Sequence, residues 1–125
     1  MTLTKEGLQA RDEALRIFEQ ELCTGNGELS ISRRQLAELM GSNIMRAADG
    51  YRVRWVSQDG RRWAERQIRL SHTAAQALMR YLQYRGFCLG MDVPFWIGRK
   101  GGKPLRADSV NRLLRGFAQS LTTGS

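Results

Sequence analysis

The stretch Tyr51–Arg69, YRVRWVSQDGRRWAERQIR, decides how the rest of the chain is read. It holds two runs in which polar and apolar residues alternate, joined by Gln58-Asp59-Gly60. Alternation with a period of two places successive side chains on opposite faces of a strand. Asp-Gly between two such runs signals a hairpin, because glycine takes the positive φ of a tight turn at no steric cost. The stretch therefore predicts a β-hairpin over about 51–70, with strands at 51–56 and 63–70. Tyr51, Val53 and Trp55 share one face of the first strand, and Arg52, Arg54 and Val56 the other. On the second strand Trp63, Glu65, Gln67 and Arg69 alternate with Ala64, Arg66, Ile68 and Leu70. The hairpin is rich in arginine: Arg52, Arg54, Arg61, Arg62, Arg66 and Arg69 stand against Asp59 and Glu65.

Helical patterns lie on both sides of it. Thr4 caps an expected helix to about Leu22, with Glu6 in its first turn and Leu8, Ala14, Leu15, Ile17, Phe18 and Leu22 as an apolar stripe. Ser32 is placed to cap a second helix carrying Leu36, Leu39 and Met40. Gly41-Ser42-Asn43 interrupts that pattern, and Ile44–Ala47 reads as a short further turn; the stretch equally resembles one buried helix and a loop leading to a strand. After the hairpin, Ser71 caps a helix from Thr73 to Arg85 that Gly86 stops. Phe87–Asp92 reads as loop, Val93–Ile97 as a short edge-like strand containing Pro94, and Gly98–Pro104 as a basic loop. A last helix, Ser109 to about Ser120, has Val110, Leu113, Leu114 and Phe117 on its core face. The expected fold class is α+β: mostly helical, with a small antiparallel sheet built on the hairpin. Residues 1–121 form one domain and 122–125 a tail.

The charge points to a partner. The 125 residues carry a net +8. Residues 1–44 hold five basic and seven acidic side chains, and residues 45–125 fifteen basic and five acidic. Most of the basic side chains are arginine, whose planar guanidinium suits bidentate contacts to phosphate and guanine. A basic excess confined to one part of the chain favours a polyanion, most simply double-stranded DNA. No apolar run approaches the ~20 residues that span a bilayer, and MTLTKEGLQARDEALR lacks a signal-peptide core. The expected place is the cytoplasm, with no membrane partner. Reducing cytosol disfavours a Cys23–Cys88 disulfide.

The order of elements, with LTKEG…RDEALRIF…TG, IRLSHTAAQALMRYLQYRG (68–86) and FWIGRKGGKPLRADSVNRLLRGFA (95–118), resembles the catalytic domain of tyrosine recombinases, the phage-integrase family. Ile68–Gly86 and Phe95–Phe117 carry the resemblance. It implies that family's core fold and DNA as partner. Members of the family cleave one DNA strand with a tyrosine, helped by two arginines, a hairpin lysine and two histidine-type residues. Fitting Leu39…Ser42-Asn43-Ile44 to the family's L-x-x-S-D-I puts Ser32 at the first arginine and Gln35 at a glutamate; a one-residue shift brings Arg33 there. The hairpin holds Arg61 and Arg62 and no lysine. Arginine, with a pKa above about 12, is a poor proton donor to a leaving oxygen. The family's His-x-x-Arg box and tyrosine follow the SVNRLL helix, and the sequence in hand reaches Ser125, about eight residues past that helix core. His72, Tyr51, Tyr81 and Tyr84 match no catalytic position. The expectation is a recombinase-like core truncated before the box, with the strand-transfer chemistry lost.

The expected role is thus non-catalytic DNA binding by an accessory or regulatory factor of a mobile element or plasmid. Phosphates would be met by Arg52, Arg54, Arg61, Arg62 and Arg66 of the hairpin, and by Arg99, Lys100, Lys103 and Arg106 before the last helix. Arg33, Arg34, Asn43 and Arg46 are candidates for base contacts in the major groove. One alternative is a winged helix-turn-helix repressor, with 32–47 as the reading element and 51–69 as the wing. Another is an interaction module derived from a recombinase, docking on a recombinase or on itself as a dimer. No cofactor is expected. Two isolated cysteines and one histidine give no metal-ligand spacing, and Pro104 after Lys103 breaks the Walker pattern.

Overall fold

The computed structural model describes residues 3–23, 31–59, 62–98 and 103–123, with the side chains of 56–59, 62–64, 66 and 117–123 outside the description. Helix α1 (Lys5–Phe18) starts where Thr4 accepts a hydrogen bond from the Gly7 amide at 3.0 Å. It runs into a π-helical turn, Glu19–Cys23, so the helical stripe reaches Leu22 by a widened last turn. Helix α2 (Arg33–Ala37) is short and opens on a capping box: Ser32 accepts from the Gln35 amide, and the Gln35 side chain accepts from the Ser32 amide. A 3₁₀ turn, Gly41–Asn43, leads into the sheet.

Strand β1 (Ile44–Ala47) pairs antiparallel with β2 (Gly50–Asp59), which pairs antiparallel with β3 (Arg62–Arg69) in the order β1-β2-β3. The hairpin forms as the alternation predicts, and its ladder runs from Arg52↔Arg69 to Asp59↔Arg62. Residues 60 and 61 lie outside the described residues. Ile44, Val53 and Ile68 fall in one row across the three strands and face the helices, with Val53 fully buried. Ile44–Ala47 is thus a strand rather than the helical turn expected from its residues. The Ala47↔Gly50 closure lets these four residues satisfy their backbone against β2. The same finding corrects the winged helix-turn-helix expectation. Over 32–47 the chain forms a five-residue helix, a 3₁₀ turn and a strand, and has no second helix to enter a groove.

Helix α3 (His72–Arg85) is capped by Ser71, whose hydroxyl accepts from the Ala74 amide, and ends at Gly86 with φ +97°. It buries Ala74, Ala77, Leu78, Tyr81 and Leu82 and packs on α1. Helix α4 (Ala107–Thr123) buries Val110 and Leu114 and packs on α2 and α1.

The centre of the core is not a regular element. Residues 93–97, expected as a strand, form an extended strap with only isolated pairings, Met40↔Pro94 and Ile97↔Pro104. Its polar backbone finds scattered partners instead of a ladder. The Phe95 amide donates to Leu39 O, and the Leu105 amide donates to Trp96 O. Tyr81 Oη donates to Phe95 O at 2.9 Å and accepts from the Ile97 amide at 3.2 Å. Arg85 donates to the carbonyls of Pro94 and Phe95, and Arg11 to that of Ile97. The strap delivers Phe95 and Trp96 into a cluster with Phe18 and Tyr81, ring centroids 4.6–5.9 Å apart. The Trp96 indole N–H donates to Leu36 O at 2.8 Å. Trp55 and Trp96 are core residues, as the pattern suggests; the Trp63 side chain is outside the description.

Candidate nucleic-acid interface

Backbone parity sorts the hairpin arginines into two sets. Arg52, Arg54 and Arg69 fall on the sheet face turned away from the helices, since Arg52 pairs with Arg69 and Arg54 with Gln67. Arg62 and Arg66 occupy ladder positions of the opposite parity, paired with Asp59 and Trp55. The outward set is exposed but not bare. Asp49, in the β1–β2 turn, sits 3.3 Å from Arg52 and 3.6 Å from Arg69, and Glu65 sits 2.7 Å from Arg54. Its own backbone hydrogen bond, then the nearby Arg52 and Arg69, hold the Asp49 carboxyl below the usual range, although partial desolvation opposes them. Among the described residues this face therefore carries three arginines against two carboxylates. Exposed ion pairs of this sort are worth little, about 0–1 kcal/mol each. The guanidinium groups are held in place and remain exchangeable.

The proposed base-reading residues do not form one reading surface. Arg33 and Arg34 stand on the first turn of α2, where Arg33 reaches Glu19 at 3.5 Å and Arg34 reaches Glu38 at 3.3 Å. Asn43 is engaged at both ends of its amide. Its Oδ1 accepts from the Met40 amide and its Nδ2 donates to Arg54 O, both at 2.8 Å, tying the 3₁₀ turn to β2. Arg46 lies on β1 beside Tyr51 and lines a hollow against α3. Of the loop before α4, Lys103 and Arg106 are exposed, whereas Arg99 and Lys100, like Arg61 in the hairpin turn, lie outside the described residues. The side chains of Arg62 and Arg66 do too.

Two recesses lie beside α2, and of the candidate residues they take in Asn43 and Arg106. One is lined by Gln35, Glu38, Leu39, Asn43 and Trp55, joining α2 to the sheet. The next runs from Glu38 and Leu39 to Pro104, Leu105 and Arg106, joining α2 to the start of α4. The sequence reading passed over Arg69, Arg112 and Arg115, all exposed. Arg69 was legible from its parity with Arg52, and Arg112 and Arg115 from their i, i+3 spacing on α4. It also missed Asp49, the main counter-charge, which lies outside the quoted stretch.

The positions that the recombinase fit assigns to an arginine and a glutamate, Ser32 and Gln35, are the two halves of the α2 capping box and are exposed. His72, in the first turn of α3, is exposed, with its ring nitrogen 3.1 Å from the Gln76 amide. Tyr81 is buried beneath the strap, and burial pushes its hydroxyl up to about 12. Cys23 and Cys88 are free thiols. Burial, reinforced by Glu19, pushes Cys23 up to about 11, and burial raises Cys88 as well. No group of three or more metal-ligating side chains occurs among the described residues, and none of their helices is long and apolar enough to cross a membrane. Comparison with protein-family models, curated proteins and solved structures finds no match.

Proposed function

We propose that the chain is a non-catalytic DNA-binding protein, an accessory or regulatory factor of a mobile element or plasmid, on a core resembling that of the tyrosine recombinases. The observation that carries the reading is the outward sheet face, where Arg52, Arg54 and Arg69 stand exposed on a chain of net +8. Arg34, Lys103 and Arg106 extend the basic set along α2 and the start of α4. The hairpin that would hold a catalytic lysine carries Arg61 and Arg62 instead, which supports binding without cleavage. Contacts are chiefly to phosphates, with sequence-neutral affinity as the base level.

The test is a shift assay with a random-sequence duplex at 50 and 200 mM salt. If about six to eight phosphates are neutralised, affinity falls by roughly 10³-fold or more between the two. No shift at 50 mM overturns the reading. It would favour instead a recombinase-derived interaction module whose basic face meets an acidic protein.

A further inference from the structure

Between β1, the start of β2 and the C-terminal half of α3 lies an open hollow of about 630 Å³. Small-molecule sites typically occupy ~300–1,000 Å³. Its walls are apolar, formed mainly by Ile44, Met79, Leu82, Phe87 and Leu89, with Met45 at its strand edge. Among the described residues the exposed large apolar side chains are Met45 (39%), Met79 (46%), Phe87 (73%) and Met91 (49%), and of these Met79 and Phe87 line this hollow with Met45 at its edge. Scattered apolar exposure is ordinary, but exposure gathered in one concave patch marks a binding site. Methionine adapts its shape to what it covers.

The lip has a specific polar chemistry. Arg46 and Tyr51 are ladder partners on β1 and β2, so their side chains are cross-strand neighbours on one face, about 5 Å apart at Cβ. Arg46 is exposed, takes part in no ion pair among the described residues, and no carboxylate lines the hollow. Tyr51 Oη has Met79 Sδ as its neighbour at 3.2 Å, and a thioether is a weak acceptor. Two donors thus stand side by side at the mouth of an apolar hollow, with no strong acceptor among the described residues.

We propose that this hollow binds an apolar carboxylate, with the carboxylate accepting from Arg46 and Tyr51 and the hydrocarbon body lying on Met79, Leu82 and Phe87. Charge decides among occupants. A second copy would set Arg46 against Arg46 on two chains of net +8. A DNA backbone would find one cation amid apolar walls. A neutral hydrocarbon would leave both donors unused.

The test uses the whole chain with [¹³C]methyl-labelled methionines, titrated with decanoate and, as the neutral control, decanol, in the absence of DNA. The expected result is saturable movement of the Met79 resonance while Met91 stays still, with decanol at least tenfold weaker. Arg46→Met keeps the apolar wall and removes the charge. It should weaken decanoate by roughly ten- to thirtyfold, the size of a lost charge-assisted contact, and leave decanol unchanged. Arg46 is exposed, so the variant's thermal melt should match the parent's. Equal affinity for decanol, unchanged decanoate binding in Arg46→Met, or no movement of Met79 overturns the proposal. Because no DNA is present, its failure leaves the DNA-binding reading standing, and the converse holds.

Discussion

If phosphates are drawn to the outward sheet face, they must displace Asp49 and Glu65 from the arginines they now hold. Asp49→Asn with Glu65→Gln removes that competition and no donor, changing the described charge of the face from +1 to +3. Exposed pairs contribute about 0.2–1 kcal/mol each. Freeing the guanidinium groups of this face from both carboxylates should therefore gain roughly 0.4–2 kcal/mol of binding, or about two- to thirtyfold in affinity. The reciprocal variant, Arg52→Ala/Arg54→Ala/Arg69→Ala, removes the donors and leaves two carboxylates uncompensated. Each phosphate contact contributes about −0.9 to the slope of log K against log salt. Losing three contacts should flatten that slope by about 2.7. Both variants can be read in one series of shift or anisotropy titrations between 50 and 200 mM salt. The substitutions are exposed, so circular dichroism melts should stay near the parent's. If the double variant binds no tighter and the triple variant keeps the parental slope, this face does not meet DNA.

Four further outcomes concern stability and thiol reactivity. Gly41→Ala would place a Cβ 2.0 Å from the Cys88 carbonyl oxygen, so urea melts should show a loss at or above the ~1–3 kcal/mol of ordinary overpacking. Gly116→Ala meets nothing within 4 Å on helix α4 and should gain about 0.5–1 kcal/mol in the same melts. Tyr81 keeps its proton up to about 12 when folded, against ~10 when unfolded. Its share of stability is complete below pH 10 and fades as pH rises toward 12, by roughly 2–3 kcal/mol. Tyr81→Phe should be less stable at pH 8, with a flatter profile than the parent between pH 10 and 12; parallel profiles would refute this. Neither Cys23 nor Cys88 should react with a thiol reagent at pH 8 in the folded chain, since thiolate is the reactive form. Both should react in urea, and fast labelling of the native chain would contradict their burial.

Local chemistry was the most legible part of this chain. Thr4, Ser32, Ser71 and Gly86 mark helix ends because their interactions span three or four residues, and the structure uses each of them as a cap or stop. The hairpin was equally readable from its alternation and Asp59-Gly60. Ile44–Ala47 was not. Met, Arg and Ala favour helix intrinsically, and only pairing with Gly50–Val53 makes a strand of them. The strap 93–97 looked like a strand because its residues are apolar and β-prone. Its partners, Leu39, Tyr81, Arg85 and Arg11, lie on distant parts of the chain that no short window relates. For the candidate interface, counting arginines located the charge but not its neutralisation, since the reach of Asp49 to Arg69 depends on the fold.

The strap has one more consequence, for how the protein breathes. Irregular segments usually exchange their amide protons early, because their hydrogen bonds open singly at the surface. Here the amides of Phe95 and Ile97 donate to Leu39 O and Tyr81 Oη beneath two buried aromatic rings. Freeing them requires α1, α2 and α3 to part together. The slowest deuterium uptake in this chain should thus belong to a stretch with no regular secondary structure, and the strap's opening should report the unfolding of the whole domain.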